Sequence, residues 1–113
     1  MDSILTSIKK LLGIIETDTS FDTDVIMHIN TVFMILNQVG VGPEGGFSIT
    51  DSSAKWSDFM EDESKIEGMK TYVYLKVKEV FDPPTNLAIL NNMKELAREL
   101  EWRLNIECDP WNL

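Results

Sequence analysis

Apolar residues recur along this chain at steps of three and four, a spacing that predicts helices. From Lys65 to Phe81 they fall at Ile66, Met69, Val73, Val77 and Val80, and from Asn86 to Leu104 at Leu90, Met93, Ala97, Leu100 and Leu104. Each series draws one stripe along a helix. Between them stands Phe81-Asp82-Pro83-Pro84-Thr85. Proline lacks an amide hydrogen and disfavours helical geometry in the residue before it, so the first helix is expected to stop near Phe81. Asp82, Pro83, Pro84 and Thr85 then form a hinge, with Thr85 as N-cap of the next helix. So short a connection predicts a long helical hairpin with facing stripes, on which the remaining elements pack. Thr71 to Val77 is β-branched and aromatic enough to alternate as a strand, but the helical register continues on both sides of it and favours helix.

Two further helices are expected upstream. Ile4, Leu5, Ile8, Leu11 and Leu12 share a face over Asp2 to Leu12, and Gly13 suits a left-handed stop. After a polar connector over Glu16 to Ser20, Asp22 or Thr23 is expected to cap a helix reaching about Val39. Its buried face would hold Val25 or Ile26, Ile29, Val32 or Phe33, and Leu36. Gly40 to Gly46 reads as a flexible glycine-rich loop. Phe47-Ser48-Ile49 and Ala54-Lys55-Trp56 flank the turn-like Thr50-Asp51-Ser52-Ser53 and are candidates to pair as a short β-hairpin. Ser57 to Met60 reads as a cap and one helical turn, and Glu61-Asp62-Glu63 as an acidic surface run. The expected fold is therefore mainly all-α, a small bundle of about four helices. It forms a single domain over residues 1–104, with a loop and hairpin insertion at 40–57 and a C-terminal tail at 105–113.

Composition narrows the function. An apolar fraction of 43% in 113 residues fits one globular domain. No apolar run approaches the length of a membrane span, the first residues lack a signal-peptide layout, and a lone cysteine cannot form an internal disulfide. The net charge is −9, with −8 of it in residues 1–64 and −1 in residues 65–113. Nowhere do lysines and arginines cluster as a phosphate-gripping face requires, so DNA binding by that route is disfavoured. Repulsion between like charges still suits a surface past which DNA slides without sticking.

No catalytic set emerges. There is no P-loop, dinucleotide fingerprint or Cys/His pair at metal-ligand spacing, so neither enzyme activity nor a cofactor or metal is expected. His28 has neither a second histidine nor a nucleophile to serve, and reads as a surface or packed residue. Cys108 lies between Glu107 and Asp109, which disfavour the thiolate. Asp58, Glu61, Asp62 and Glu63 lack EF-hand spacing and read as a solvated face. Three features point outward instead. Trp56 and Phe59 flank a polar cap, the glycine loop suits a spacer or a contact that orders on assembly, and the chain ends in Asp109-Pro110-Trp111-Asn112-Leu113. A tryptophan on an irregular terminus either folds back onto its own domain or docks into a partner. The candidate partner contacts are thus Trp56, Phe59, Asp109, Pro110, Trp111 and Leu113.

In this pattern the chain resembles the head–tail connector (adaptor) proteins of tailed bacteriophages. The resemblance rests on Ile4 to Gly13, on Phe21-Asp22-Thr23-Asp24 opening a helix that ends at Gly40, and on Trp56-Ser57-Asp58-Phe59. It continues through Tyr72, Tyr74 and Lys76 into Phe81-Asp82-Pro83-Pro84, and closes with Glu99 to Leu104. It implies an all-helical protomer, made in the bacterial host cytoplasm, that assembles into a ring, usually dodecameric, beneath the portal at the head–tail junction of the virion. The ring would extend the DNA channel and present a platform to a head-closure (stopper) or tail protein. The implied partners are further copies of the chain, the portal and that next protein, with DNA only passing through. The C-terminal segment would reach toward the portal. A different reading of the same residues is a small acidic phage-encoded regulator or inhibitor that binds a host protein through Trp56 and the tail.

Overall fold

A computed structural model describes the backbone of residues 3–108 and the side chains of residues 3–103. It contains five helices: α1 (Ile4–Leu12), α2 (Asp22–Gln38), α3 (Trp56–Phe59), α4 (Glu63–Phe81) and α5 (Leu87–Cys108). α4 is the central element and packs against α1, α2 and α5, while α1 also packs on α2. Phe21 and His28 of the α2 entrance both lie edge-on to Phe81, so α2 and α4 run antiparallel.

Local chemistry sets the helix ends. Ser3 caps α1 by accepting from the Thr6 amide. Gly13 closes it in the left-handed conformation (φ 82°), which frees the Gly13 and Ile14 amides to donate back to Lys10 and Lys9 carbonyls. Asp62, expected to be part of a solvated acidic run, is the N-cap of α4, accepting from both the amide and the hydroxyl of Ser64. α4 stops at Phe81 as the prolines require, and Lys78 reaches over the break to donate to the Asp82 carbonyl (3.0 Å) and carboxylate (3.2 Å). Asn86, not Thr85, caps α5, its side-chain oxygen accepting from the Ala88 and Ile89 amides. α5 extends to Cys108, past the Leu104 limit that its stripe suggested.

The expected cap at Asp22 or Thr23 is replaced by an ion pair. Phe21 occupies the cap position of α2 without a side-chain hydrogen bond. Lys9 of α1 is buried, 3% exposed, and its ammonium donates to the carbonyls of Glu16 (3.0 Å) and Asp18 (2.7 Å) and lies 2.8 Å from the Asp22 carboxylate. One cation thereby holds the whole α1–α2 connector, with Asp22 also favoured at the positive end of α2. Lys9→Ala leaves two carbonyls and a carboxylate without their donor. A loss of about 2–3 kcal/mol is expected, below the ~3–5 kcal/mol of a fully buried broken pair because Asp22 and the connector are partly exposed. A urea midpoint equal to wild type would refute the clamp.

No strand is present among the described residues, so the expected hairpin at 47–56 does not form; one isolated bridge joins Ser3 to Lys55. Other partners take the backbone groups the hairpin would have used. The Asn30 side chain of α2 accepts from the Ile49 amide (2.7 Å) and donates to the Ile49 carbonyl (2.9 Å). The Ile4 amide donates to the Ala54 carbonyl. The segment is thus hung between α2 and the start of α1 instead of folded on itself.

The core runs from Ile4, Leu5 and Ile8 through Val25, Ile29, Phe33 and Leu36 to Ile66, Met69, Val73 and Val77. The α4 stripe matches expectation except at its end, where Val80 is 62% exposed. Tyr72 and Leu75, which lie off that stripe, are buried because α4 is covered on more than one side. Tyr72 donates its hydroxyl to Glu101 of α5 at 2.9 Å. Burial, reinforced by that carboxylate, raises the phenol pKa well above its usual value and keeps it a donor.

Candidate functional site

Trp56 and Phe59, expected as outward-facing contacts, are core residues, 0% and 3% exposed. Phe33 of α2 gathers Phe47, Trp56 and Phe59 around it, with ring centroids 5.2, 6.4 and 4.6 Å away. The indole nitrogen of Trp56 donates to the Ser7 hydroxyl (2.8 Å), which donates in turn to the Ile4 carbonyl. Every part of the indole is therefore satisfied inside the protomer, and none is left for a partner. Asp109, Pro110, Trp111 and Leu113 lie outside the described residues.

The glycine loop is also committed. Val41 is 2% exposed, and Gly42, at φ 95°, runs so close to the Phe59 ring that a Cβ there would sit 2.5 Å from Cε1. Loop 40–55 is held on α2 by aromatic packing and by Asn30.

Apart from Ile15 in the α1–α2 connector, most of what remains exposed and apolar lies on the helices. Met27 and Met34, one heptad apart on α2, are each 56% exposed. On α5, Leu87, Ile89, Leu96 and Trp102 are all exposed, because α5 packs chiefly on α4. A tryptophan two positions beyond Leu100, off the buried stripe of an amphipathic helix, was the sequence signal for such a surface. The buried-face reading of that helix passed over it.

A concavity lies at each end of α2. Trp102 and Val39, with Arg98 and Glu101, border a shallow groove where the ends of α2 and α5 come together. At the other end of α2, an open cleft of about 570 Å³ lies between the exits of α1 and α4, walled by Leu12, Ile14, Phe21, Val80 and Phe81. Asp24, His28 and Asp82 supply its polar rim.

The charged surface carries small local devices. Asp18, Asp51 and Asp62 each accept from the hydroxyl and the amide of the serine two positions on. The serine hydroxyl, then its amide, holds each carboxyl below its usual pKa. Such a depressed pKa stabilises the fold above the ordinary carboxylate range, and that contribution is lost as pH falls through the lowered values. Among the described residues no group of His, Cys, Asp and Glu is placed to hold a metal ion. No described helix is long and apolar enough to cross a membrane.

The helical protomer thus exposes apolar side chains on two different helices, α2 and α5. The profile of the phage connector protein family matches residues 4–110, and the chain belongs to that family, whose members are structural proteins of the virion. Neither curated proteins nor solved structures gave a significant match.

Proposed function

We propose that the protein is a head–tail adaptor that assembles head to tail into a ring beneath the portal, extends the DNA channel and offers a platform to a head-closure or tail protein. The observation that carries this reading, beside family membership, is exposed apolar side chains on two different helices of one protomer. Met27 and Met34 lie on α2, and Leu87, Leu96 and Trp102 on α5. A heterologous ring needs two different surfaces per subunit, and exposed apolar groups gathered on helices call for cover. The net charge of −9 suits a channel through which DNA passes without being held. The family resemblance supports a dodecamer, and Asp109 to Leu113 are proposed to reach toward the portal.

Mixing the purified chain with the portal protein of its own phage tests this directly. Light scattering and negative-stain imaging should show a ring of this chain on the portal, and deletion of Asp109 to Leu113 should weaken its attachment. A chain that stays monomeric or dimeric and ignores the portal would overturn the adaptor reading.

A further inference from the structure

We propose that neighbouring copies join knob to cleft: Trp102 of one copy, flanked by Arg98 and Arg103, seats in the cleft at the far end of α2 in the next. This rests on the head-to-tail ring proposed above and assigns its contact. The indole is 64% exposed on α5, a helix that packs chiefly on α4. A tryptophan buries ~150–250 Å² when it finds a pocket, which makes an exposed one a strong anchor for association. The cleft has matching chemistry, with apolar walls at Leu12, Phe21 and Val80 and the Asp24 carboxylate on its rim, beside an Asp82 carboxylate that Lys78 already engages.

Knob and cleft cannot meet within one chain. Trp102 lies beside Val39 and the cleft beside Asp24, about 22 Å apart at 1.5 Å per helical residue. A head-to-tail contact between opposite ends of like molecules is heterologous, so it repeats from copy to copy and forms a ring where the rotation between copies closes. Charge supports the same pairing. From Leu11 to Ala54 the chain has six acidic residues and no lysine or arginine. Among the described residues Arg98 pairs with Glu95 and Arg103 with Glu99 of their own helix, in ion pairs more than half exposed. Such exposed pairs are weak and can be exchanged at little cost for carboxylates on a neighbour.

The test uses a knobless variant, Trp102→Ser, and a cleft-blocked variant, Val80→Arg, each with and without the portal protein. Both positions are more than half exposed, so melting temperatures should stay near wild type. Each variant alone should need about thirty-fold or more higher concentration to form rings, as expected for loss of an anchoring tryptophan. Mixed in equal amounts, they should stop at a heterodimer, since the intact knob of one fits the intact cleft of the other and neither can extend. A charge pair guards against local misfolding: Arg103→Glu and Asp24→Lys should each impair assembly, and the double variant should restore it. Wild-type rings with unimpaired Trp102→Ser and Val80→Arg rings, or full rings from the mixture, would overturn the contact and leave the adaptor reading standing. Absence of wild-type rings under every condition would overturn both.

Discussion

Trp56→Ala is expected to destabilise the protomer by about 3–5 kcal/mol, a large share of the ~5–15 kcal/mol that holds a domain of this size. The side chain is fully buried against Phe33, and its nitrogen donates to Ser7. Alanine removes the apolar contacts and opens a cavity between α2 and α3, and it leaves the Ser7 hydroxyl without its donor. Urea denaturation should show the loss as a lower midpoint with little change in slope, and the Tm should fall by roughly 15 °C or more. Trp56→Phe separates the parts. It keeps much of the ring packing but loses the hydrogen bond, so it should cost less than the alanine variant. If Trp56 were a partner anchor, the alanine variant would melt like wild type and fail only in assembly. That outcome would contradict the buried position.

The second large effect is expected at Gly42. Its φ of 95° lies where side chains other than glycine are strained, and a Cβ would meet Phe59 Cε1 at 2.5 Å and Cζ at 2.9 Å. Phe59 cannot yield easily, because Phe33 and Phe47 pack on its ring at centroid distances of 4.6 and 5.3 Å. Backbone strain of about 1–2 kcal/mol and overpacking of about 1–3 kcal/mol together predict a loss of about 2–5 kcal/mol for Gly42→Ala. Gly45→Ala is the matched control. It has a similar φ of 90° but nothing within 4 Å of the added carbon, so only the backbone cost should appear. Equal midpoints for the two variants would remove the packing argument and return the loop to a free spacer.

These two residues relocate the functional surface. Trp56 and the glycine loop, which invited a reading as contacts, hold the protomer together. The exposed groups proposed for assembly lie on α2 and α5 and around the cleft. The adaptor reading therefore no longer depends on Trp56 or Phe59, and it acquires Trp102 and the cleft beside Asp24 as testable parts.

Periodicity and turn chemistry were sufficient for the helices, because both act locally. The stripes over Ile66–Val77 and Leu90–Leu100 mark α4 and α5, Pro83 and Pro84 separate them, and Gly13 ends α1 in the conformation only glycine adopts cheaply. The aromatic-Asp-Pro-Pro break and its flanking helices also sufficed for the family. Tertiary structure alone decided the rest. Asn30 captured Ile49, so residues 47–56 had no reason to pair with each other. Lys9 captured Asp22 and the connector, so a lysine on an apolar helix became a buried clamp. Phe33 drew Trp56 and Phe59 inward, and α5 was left covered on one side, turning Trp102 outward. Each of these outcomes joins groups far apart in the chain. A helical stripe reports which side of a segment is apolar, whereas burial of a single tryptophan depends on what another segment brings to meet it.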